Sequence, residues 1–161
     1  MLKTHRRTYP WTFNAVKKLA KLGVLSIETK GHSSICRINL DSRLAISYLS
    51  LLEQMDWSRK KPAVPGLLED VPNHFCSILV SSESMIMIAD DSADTKTLFR
   101  SVRPKVLGQR LLVLRKSEFL SLLLSRENNQ AKSAFRDRMI ACGAESYYLM
   151  IKEAIEHGFK G

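Results

Sequence analysis

The N-terminal fold is decided by residues 16–25, which read Val-Lys-Lys-Leu-Ala-Lys-Leu-Gly-Val-Leu. The first seven of them end a longer segment, residues 9–22. In that segment apolar and polar positions recur with the period of an α-helix. Thr8 precedes this segment, Pro10 is tolerated in its first turn, and Gly23 ends it. The apolar stripe consists of Phe13, Val16, Leu19 and Ala20, and the opposite face carries Trp11, Asn14, Lys17, Lys18 and Lys21. We therefore expect an amphipathic helix with a basic exposed face.

A β-hairpin and a second helix follow this segment. Apolar residues alternate on both sides of a glycine-containing turn at residues 29–32, which predicts a hairpin over residues 24–39. Asp41 is the expected N-cap of the next helix. The predicted buried residues of that helix are Leu44, Ala45, Tyr48, Leu49, Leu51 and Leu52. The N-terminal part is thus expected to run helix, glycine, hairpin, helix.

The positive charge of the chain is concentrated near the N-terminus. Of 161 residues, 25 are lysine or arginine and 16 are aspartate or glutamate. Residues 1–61 hold 12 of the basic and 4 of the acidic side chains, whereas residues 62–161 hold 13 and 12. This asymmetry predicts a basic module that binds a polyanion, joined to a near-neutral module with another task. A solvated basic surface without a ligand is the alternative.

The N-terminal part resembles the second half of a winged-helix domain. The resemblance rests on residues 16–25, where winged-helix regulators carry the end of the recognition helix, and on residues 30–40, which look like the wing. It implies a helix in the major groove of double-stranded DNA and a wing at the flanking backbone. The lysines would neutralise phosphates, whereas Asn14 and Trp11 would approach base edges or sugars. The predicted DNA-binding residues are Arg6, Arg7, Trp11, Asn14, Lys17, Lys18, Lys21, Lys30, His32 and Arg37.

The front of the winged-helix pattern is missing. Two helices normally precede the recognition helix, and here only residues 1–8 do so. The apolar side chains of Phe13, Val16, Leu19 and Ile35 then lack cover within the module. We expect the following helix, the second domain or a second subunit to cover them. A homodimer, the commonest assembly of soluble oligomers, is the favoured arrangement.

A connection rich in proline and charge separates the two parts. Three prolines and a glycine cannot continue a helix or a central strand, so residues 62–73 are predicted to be a linker. Residues 1–61 then form the basic winged-helix-like module and residues 74–161 a small mixed α/β domain, which makes the fold class α+β. In the second domain we predict strands over residues 75–80, 85–89 and 109–114, and helices over residues 95–101, 117–125 (with Ser117 as cap), 130–138 and 144–156.

The C-terminal part resembles the rear half of small nucleotidyltransferase domains of the DNA polymerase β type. The matching stretches are residues 106–114, residues 116–120 with their Glu-Phe pair, and residues 139–148 with Gly-Ala-Glu. The resemblance implies a strand that leads to a helix, followed by a short apolar strand before the last helix. It covers most of residues 74–161 and rests on packing features.

The catalytic elements of that family do not match. The family carries a Gly-Ser turn and then an Asp-x-Asp pair, whose carboxylates bind divalent metal. Ser82 and Ser84 stand where these aspartates would fall, and strand alternation would point Glu83 to the other face of the sheet. Three later carboxylates, Asp90, Asp91 and Asp94, are expected in a solvated turn and helix cap. We therefore predict a pseudoenzyme with no catalytic residue, no metal site and no cofactor.

Cysteine usage and the absence of targeting signals favour a cytoplasmic protein. Cys36, Cys76 and Cys142 are odd in number and widely spaced, which argues against a disulfide framework and a CxxC metal site. We expect all three to be small buried residues. The N-terminus lacks the apolar stretch of a signal peptide, and no run reaches the ~18 apolar residues that span a bilayer.

Three classes of function are compatible with this sequence. The leading hypothesis is a non-catalytic DNA-binding protein, a transcriptional regulator whose C-terminal domain serves dimerisation, partner contact or ligand sensing. The second is a minimal nucleotidyltransferase that acts on a nucleic acid or protein acceptor. The third is a protein-interaction module of the antitoxin type. The missing Asp-x-Asp counts against the enzyme and leaves the other two open.

Overall fold

The computed structural model describes residues 8–60, 75–106, 108–125 and 138–159. Contacts divide the chain into two compact units, Met1–Tyr48 and Leu49–Gly161. Within the described ranges there are five α-helices and two sheets, as expected for the α+β class. The predicted linker, residues 62–73, and the predicted helix over residues 130–138, apart from Arg138, lie outside those ranges.

The first unit runs helix, hairpin, helix, as predicted. Its elements are α1 (Thr8–Lys21), β1 (Leu25–Lys30), β2 (Ser33–Ile38) and the start of α2 (Arg43–Lys60). The end of α1 is a Schellman motif, in which the Gly23 N–H donates to Ala20 and the Val24 N–H donates to Leu19. Gly23 has φ +71°, a conformation that L side chains rarely adopt, and it therefore stops the helix and turns the chain into β1.

The two strands of the first unit pair as an antiparallel hairpin. Residues that pair directly lie on the same face of such a hairpin. The pairs Leu25 with Ile38 and Ile27 with Cys36 therefore form one apolar face. The side-chain amide of Asn39 donates to the Gly23 carbonyl oxygen at 3.0 Å, which ties the end of the hairpin to the end of α1.

Helix α2 exposes most of the apolar residues that the sequence pattern predicted to be buried. Ala45 is buried and Leu49 is half-buried, as expected. The prediction is wrong for the other four, which are exposed: Leu44, Tyr48, Leu51 and Leu52. The reason is that α2 is apolar on two faces, and the face that carries Ile46 and Trp57 is the buried one.

The N-cap of α2 also differs from the prediction. Ser42, and not Asp41, precedes the first helical residue, and its hydroxyl accepts the Ala45 N–H at 3.4 Å. The Asp41 N–H donates to the side-chain oxygen of Asn39 at 3.2 Å, which places Asp41 in the turn before the helix.

The second unit is a four-stranded mixed sheet with helices. Its elements are β3 (Phe75–Val80), β4 (Ser84–Ala89), α3 (Thr95–Val102), a 3₁₀ turn (Arg103–Lys105), β5 (Arg110–Arg115), α4 (Lys116–Leu124), β6 (Met139–Cys142) and α5 (Ala144–Glu156). The strand order is β5-β4-β3-β6. Strands β4 and β5 are parallel and are joined through α3, whereas β3 is antiparallel to both of its neighbours.

Both faces of this sheet are buried, which explains the almost continuous apolar runs of β3 and β4. On one face, Leu79 and Ile88 belong to a cluster with Phe119 of α4 and Tyr147 of α5. On the other face the cluster includes Ile78, Val80, Met85, Met87 and Val102, with Trp57 of α2 packed against it. The central hairpin of the sheet is thus the core of this unit.

The prediction that all three cysteines are buried is wrong. Cys36 and Cys142 are exposed, and Cys76 is half-buried. Cys36 lies in β2, in which every residue is exposed, and Cys142 ends β6 at the edge of its sheet. Their positions at strand edges and ends account for the exposure.

Candidate nucleic-acid interface

One face of α1 presents a row of polar, basic and aromatic side chains to solvent. Trp11, Asn14, Lys18 and Lys21 are spaced so that they follow one side of the helix, and all four are exposed. The Trp11 side chain is 76% exposed. The row is about 15 Å long at 1.5 Å per residue. We call these four residues together with Lys17 the α1 basic row.

Lys17 lies beside this row and contacts an aromatic ring. Its ammonium group lies 4.3 Å from the centroid of the Phe13 ring, a cation–π contact. Phe13 is 48% exposed, whereas Val16, Leu19 and Ala20 of the same predicted stripe are half-buried. Of the four apolar residues that the sequence predicts to lack cover, Phe13 and Ile35 are exposed, whereas Val16 and Leu19 are half-buried.

The lysines of the α1 basic row have no salt-bridge partner among the described residues. Helix α1 contains no aspartate or glutamate. Within the described part of the chain, no salt bridge involves Lys17, Lys18 or Lys21. Three positive charges on one helix face are therefore available to an anionic ligand.

The hairpin cations, by contrast, are paired with a carboxylate. Lys30 Nζ lies 3.3 Å from Glu28 Oε1, and Arg37 Nη1 lies 3.7 Å from Glu28 Oε2. His32 is exposed in the turn between the strands. The hairpin thus offers less free positive charge than α1. The remaining predicted residues, Arg6 and Arg7, lie outside the described residues.

Glu28 is the residue of this surface that sequence reasoning missed. In the hairpin register Ser26 pairs with Arg37, Glu28 with Ile35 and Lys30 with Ser33, so these residues share one face. The alternation of β1 was the available signal, since it places Glu28 on the same side as Lys30. Counting basic residues without the register overstates the charge of the hairpin.

The second unit has a closed serine turn where the nucleotidyltransferase resemblance would require carboxylates. Ser81 Oγ lies 2.9 Å from Ser84 Oγ and accepts the Ser84 N–H at 3.0 Å. The Gln109 side-chain amide donates to the Ser81 carbonyl oxygen at 3.1 Å. Ser82 and Glu83 are the exposed residues of the turn. Because β4 begins at Ser84, the predicted strand alternation does not apply to Glu83.

Two of the three aspartates beyond β4, Asp91 and Asp94, serve as caps, as predicted for a turn and helix start. Asp94 is the N-cap of α3 and accepts the Lys96 N–H at 3.1 Å. Asp91 accepts the Ser117 N–H at 2.9 Å in the first turn of α4. Hydrogen bonds from Ser117 lower the pKa of Asp91, and those from Thr97 lower the pKa of Asp94.

The cap of α4 is not the predicted one. Ser117 lies inside the helix, and the capping position is Arg115, whose N–H donates to the Glu118 carboxylate at 2.8 Å.

Asp90 accepts a hydrogen bond from the Cys76 thiol at 3.0 Å. Burial, reinforced by this hydrogen bond, raises the pKa of Cys76 to about 11. A thiol with so high a pKa is not an activated nucleophile.

Comparison of the chain with protein-family models, with curated proteins and with solved structures finds no match.

Among the described residues, there is no group of three or more His, Cys, Asp or Glu side chains that could hold a metal ion. A shallow depression of about 310 Å³ is lined by Thr95, Lys96, Phe99, Arg100 and Val113. Within the described ranges, no helix combines the length and the apolar character that a membrane span requires.

Proposed function

We propose that this protein is a non-catalytic DNA-binding protein, a transcriptional regulator that inserts α1 into the major groove of double-stranded DNA. The α1 basic row carries this proposal. On one helix face it combines an amide side chain, an exposed indole and three lysines that form no salt bridge within the described residues.

The dimensions of α1 suit a groove. Its 14 residues make a helix about 21 Å long, and the major groove of B-DNA admits one such helix. Lys17, Lys18 and Lys21 would neutralise phosphates, and Asn14 would reach a base edge. Contact of the Trp11 indole with sugar or base edges would remove its apolar surface from water, which favours binding.

The hairpin has the secondary role of a wing in this proposal. Lys30, His32 and Arg37 would lie at the flanking backbone, but Glu28 competes with phosphate for two of them. An exposed ion pair is worth only about 0.2–1 kcal/mol, so a phosphate can displace it at a modest cost. The larger part of the affinity is therefore expected from α1.

The non-catalytic part of the proposal is supported by the serine turn. The hydroxyls of Ser81 and Ser84 hydrogen-bond to each other, and neither supplies the anionic oxygens that magnesium prefers. The turn between β3 and β4 therefore fits a structural role better than a catalytic one.

Binding to a double-stranded DNA fragment tests the role of α1. We expect the triple variant Lys17→Ala, Lys18→Ala, Lys21→Ala to lose about tenfold or more in affinity at low salt, because three phosphate contacts disappear. The matched control removes three exposed cations of the second unit, Lys96→Ala, Arg100→Ala and Arg110→Ala, with the same change in net charge. Fluorescence anisotropy measures both. Equal losses in the two triple variants would refute the assignment to α1.

Nucleotide transfer tests the non-catalytic assignment separately. The protein is incubated with labelled nucleoside triphosphates, magnesium or manganese, and RNA or protein acceptors, and we expect no transfer of label. Reproducible transfer that is lost in Glu83→Gln would replace this part of the proposal with a nucleotidyltransferase.

A further inference from the structure

The shallow depression of the second unit lies between helix α3 and strand β5. Thr95, Lys96, Phe99 and Arg100 line it from the helix, and Val113 lines it from the strand. Its volume of about 310 Å³ is at the lower end of the range for sites that hold small molecules, about 300–1,000 Å³. We call it the α3–β5 depression. Its size suits a small organic molecule.

The apolar part of the α3–β5 depression consists of an aromatic ring and an aliphatic side chain. Helix α3 buries Leu98 and Val102, and Phe99 lies beside this buried face. The Phe99 side chain is 38% exposed, and Val113 of β5 is half-buried. A flat ring that packs on Phe99 and against Val113 would remove apolar surface of both from water, which favours binding.

The charged part of the depression consists of two cations that repel each other. Lys96 and Arg100 are four residues apart on α3, so their Cβ atoms lie about 5–6 Å apart on one side of the helix. Like charges at this spacing destabilise a helix. An anion bound between them would be attracted to both and would offset their repulsion. The arrangement therefore favours an anionic ligand.

Neither of these cations forms a salt bridge within the described part of the chain. The charge of Asp94, the N-cap of α3, interacts with that of Lys96. The Asp94 carboxylate already accepts the Lys96 N–H at 3.1 Å and the Thr97 hydroxyl at 2.6 Å, so the cap engages its oxygens. The head groups of Lys96 and Arg100 can therefore bind the oxygens of a ligand.

The apolar and charged parts together define the chemistry of the ligand. We propose that the α3–β5 depression binds a small aromatic anion. The flat ring of this ligand would contact Phe99 and Val113. Its carboxylate or phosphate group would contact both cations, and the planar guanidinium of Arg100 matches either oxyanion. The site lies in the unit that does not contain α1, so the proposal does not depend on DNA binding.

Nuclear magnetic resonance titration of the full chain tests this proposal, with phenyl phosphate and benzoate as probes. We expect saturable shifts of the backbone amide signals of the lining residues, with a Kd on the order of 1 mM for so small a ligand. Inorganic phosphate, acetate and phenol each carry one half of a probe and should bind at least about tenfold more weakly. The tighter of the two probes identifies the anionic group.

Three results of this titration would overturn the proposal. The first is a lack of saturation with both probes. The second is a set of saturable shifts confined to residues outside the α3–β5 depression. The third is an affinity for inorganic phosphate or acetate equal to that for the matching probe, because the ring would then contribute nothing.

Paired variants separate the site from net charge. Lys96→Gln, Arg100→Gln should weaken binding of the tighter probe about tenfold or more, because both charged contacts are lost. The control Arg59→Gln, Arg110→Gln removes two exposed cations of the same unit that do not line the depression, and it should keep the wild-type Kd. Phe99→Leu keeps both charges and should also weaken binding, since the contact between rings is lost. Equal losses in the charge variant and its control, or an unchanged Kd in Phe99→Leu, would refute the proposal.

Discussion

At the scale of single residues, Glu28 sets how much of the hairpin charge is free for the DNA binding that we propose. Its carboxylate pairs with both Lys30 and Arg37. We expect Glu28→Gln to raise DNA affinity about two- to threefold at low salt, because both cations become free for phosphate. The control is Asp56→Asn, which breaks the pair with Lys60 and changes net charge equally. Anisotropy titrations that show the same gain for both variants would mean that net charge alone is responsible.

Gly143 is the residue on which the junction between β6 and α5 depends. It has φ +69°, and a Cβ at this position would overlap the carbonyl group of Cys76. We expect Gly143→Ala to lower the free energy of unfolding by about 2–4 kcal/mol, since it combines backbone strain with a clash against backbone. Gly158→Ala, at φ +98° with open space around it, should cost only about 1 kcal/mol. Urea unfolding compares the two, and similar losses would contradict the clash.

At the scale of secondary-structure elements, the aspartate caps of α3 and α4 make stability depend on pH. Hydrogen bonds lower the pKa of Asp91 and of Asp94 below the ordinary value of 3.8. A carboxylate with a lowered folded pKa stabilises the fold above its unfolded pKa, and this contribution is lost as the pH falls through the folded pKa. We therefore expect the midpoint temperature of thermal unfolding to decrease as the pH is lowered below about 4.

Calorimetry of a capping variant checks this explanation. Asp91→Asn, Asp94→Asn should unfold at a lower temperature at neutral pH and should lose less on acidification than the wild type. Glu83→Gln removes an exposed turn carboxylate of the same unit and should keep the wild-type pH profile. An unchanged acid response in the double variant would show that other carboxylates control the acid transition.

The positions of helices and strands could be predicted from the sequence, because they depend on local patterns. Gly23 after an amphipathic segment and the apolar runs of β3 and β4 place those elements within one residue of the structure. The buried face of α2 could not be predicted in this way. Its two apolar faces have the same period, and only the position of Trp57 against the sheet decides between them.

The candidate interface could likewise be predicted only in part. The exposure of Trp11, Asn14, Lys18 and Lys21 follows from helical period alone. The pairing of Lys30 and Arg37 with Glu28 depends on hairpin register and side-chain reach, which composition does not contain. The cysteine prediction is wrong for a related reason, since a general preference for burial does not apply to strand ends and edges.

At the scale of the whole molecule, the uneven distribution of charge predicts how the proposed DNA binding responds to salt. Residues 62–161 are close to neutral, so the phosphate contacts should come from the N-terminal part. If about four to six phosphates are neutralised, log K should fall against log salt with a slope of about −4 to −5. This slope counts released counterions and is therefore sensitive to contacts at the interface itself.

The same triple variants separate local contacts from net charge. Lys17→Ala, Lys18→Ala, Lys21→Ala should reduce the magnitude of the slope by about 2 to 3, because each lost phosphate contact removes about 0.9. The control variant has the same net charge as the α1 variant, but its substitutions, Lys96→Ala, Arg100→Ala and Arg110→Ala, lie in the second unit. It should therefore keep the wild-type slope. Salt titrations of the wild type and both triple variants on one duplex measure the three slopes. Parallel lines for the α1 variant and the wild type would mean that α1 does not touch the phosphates, whatever the change in affinity.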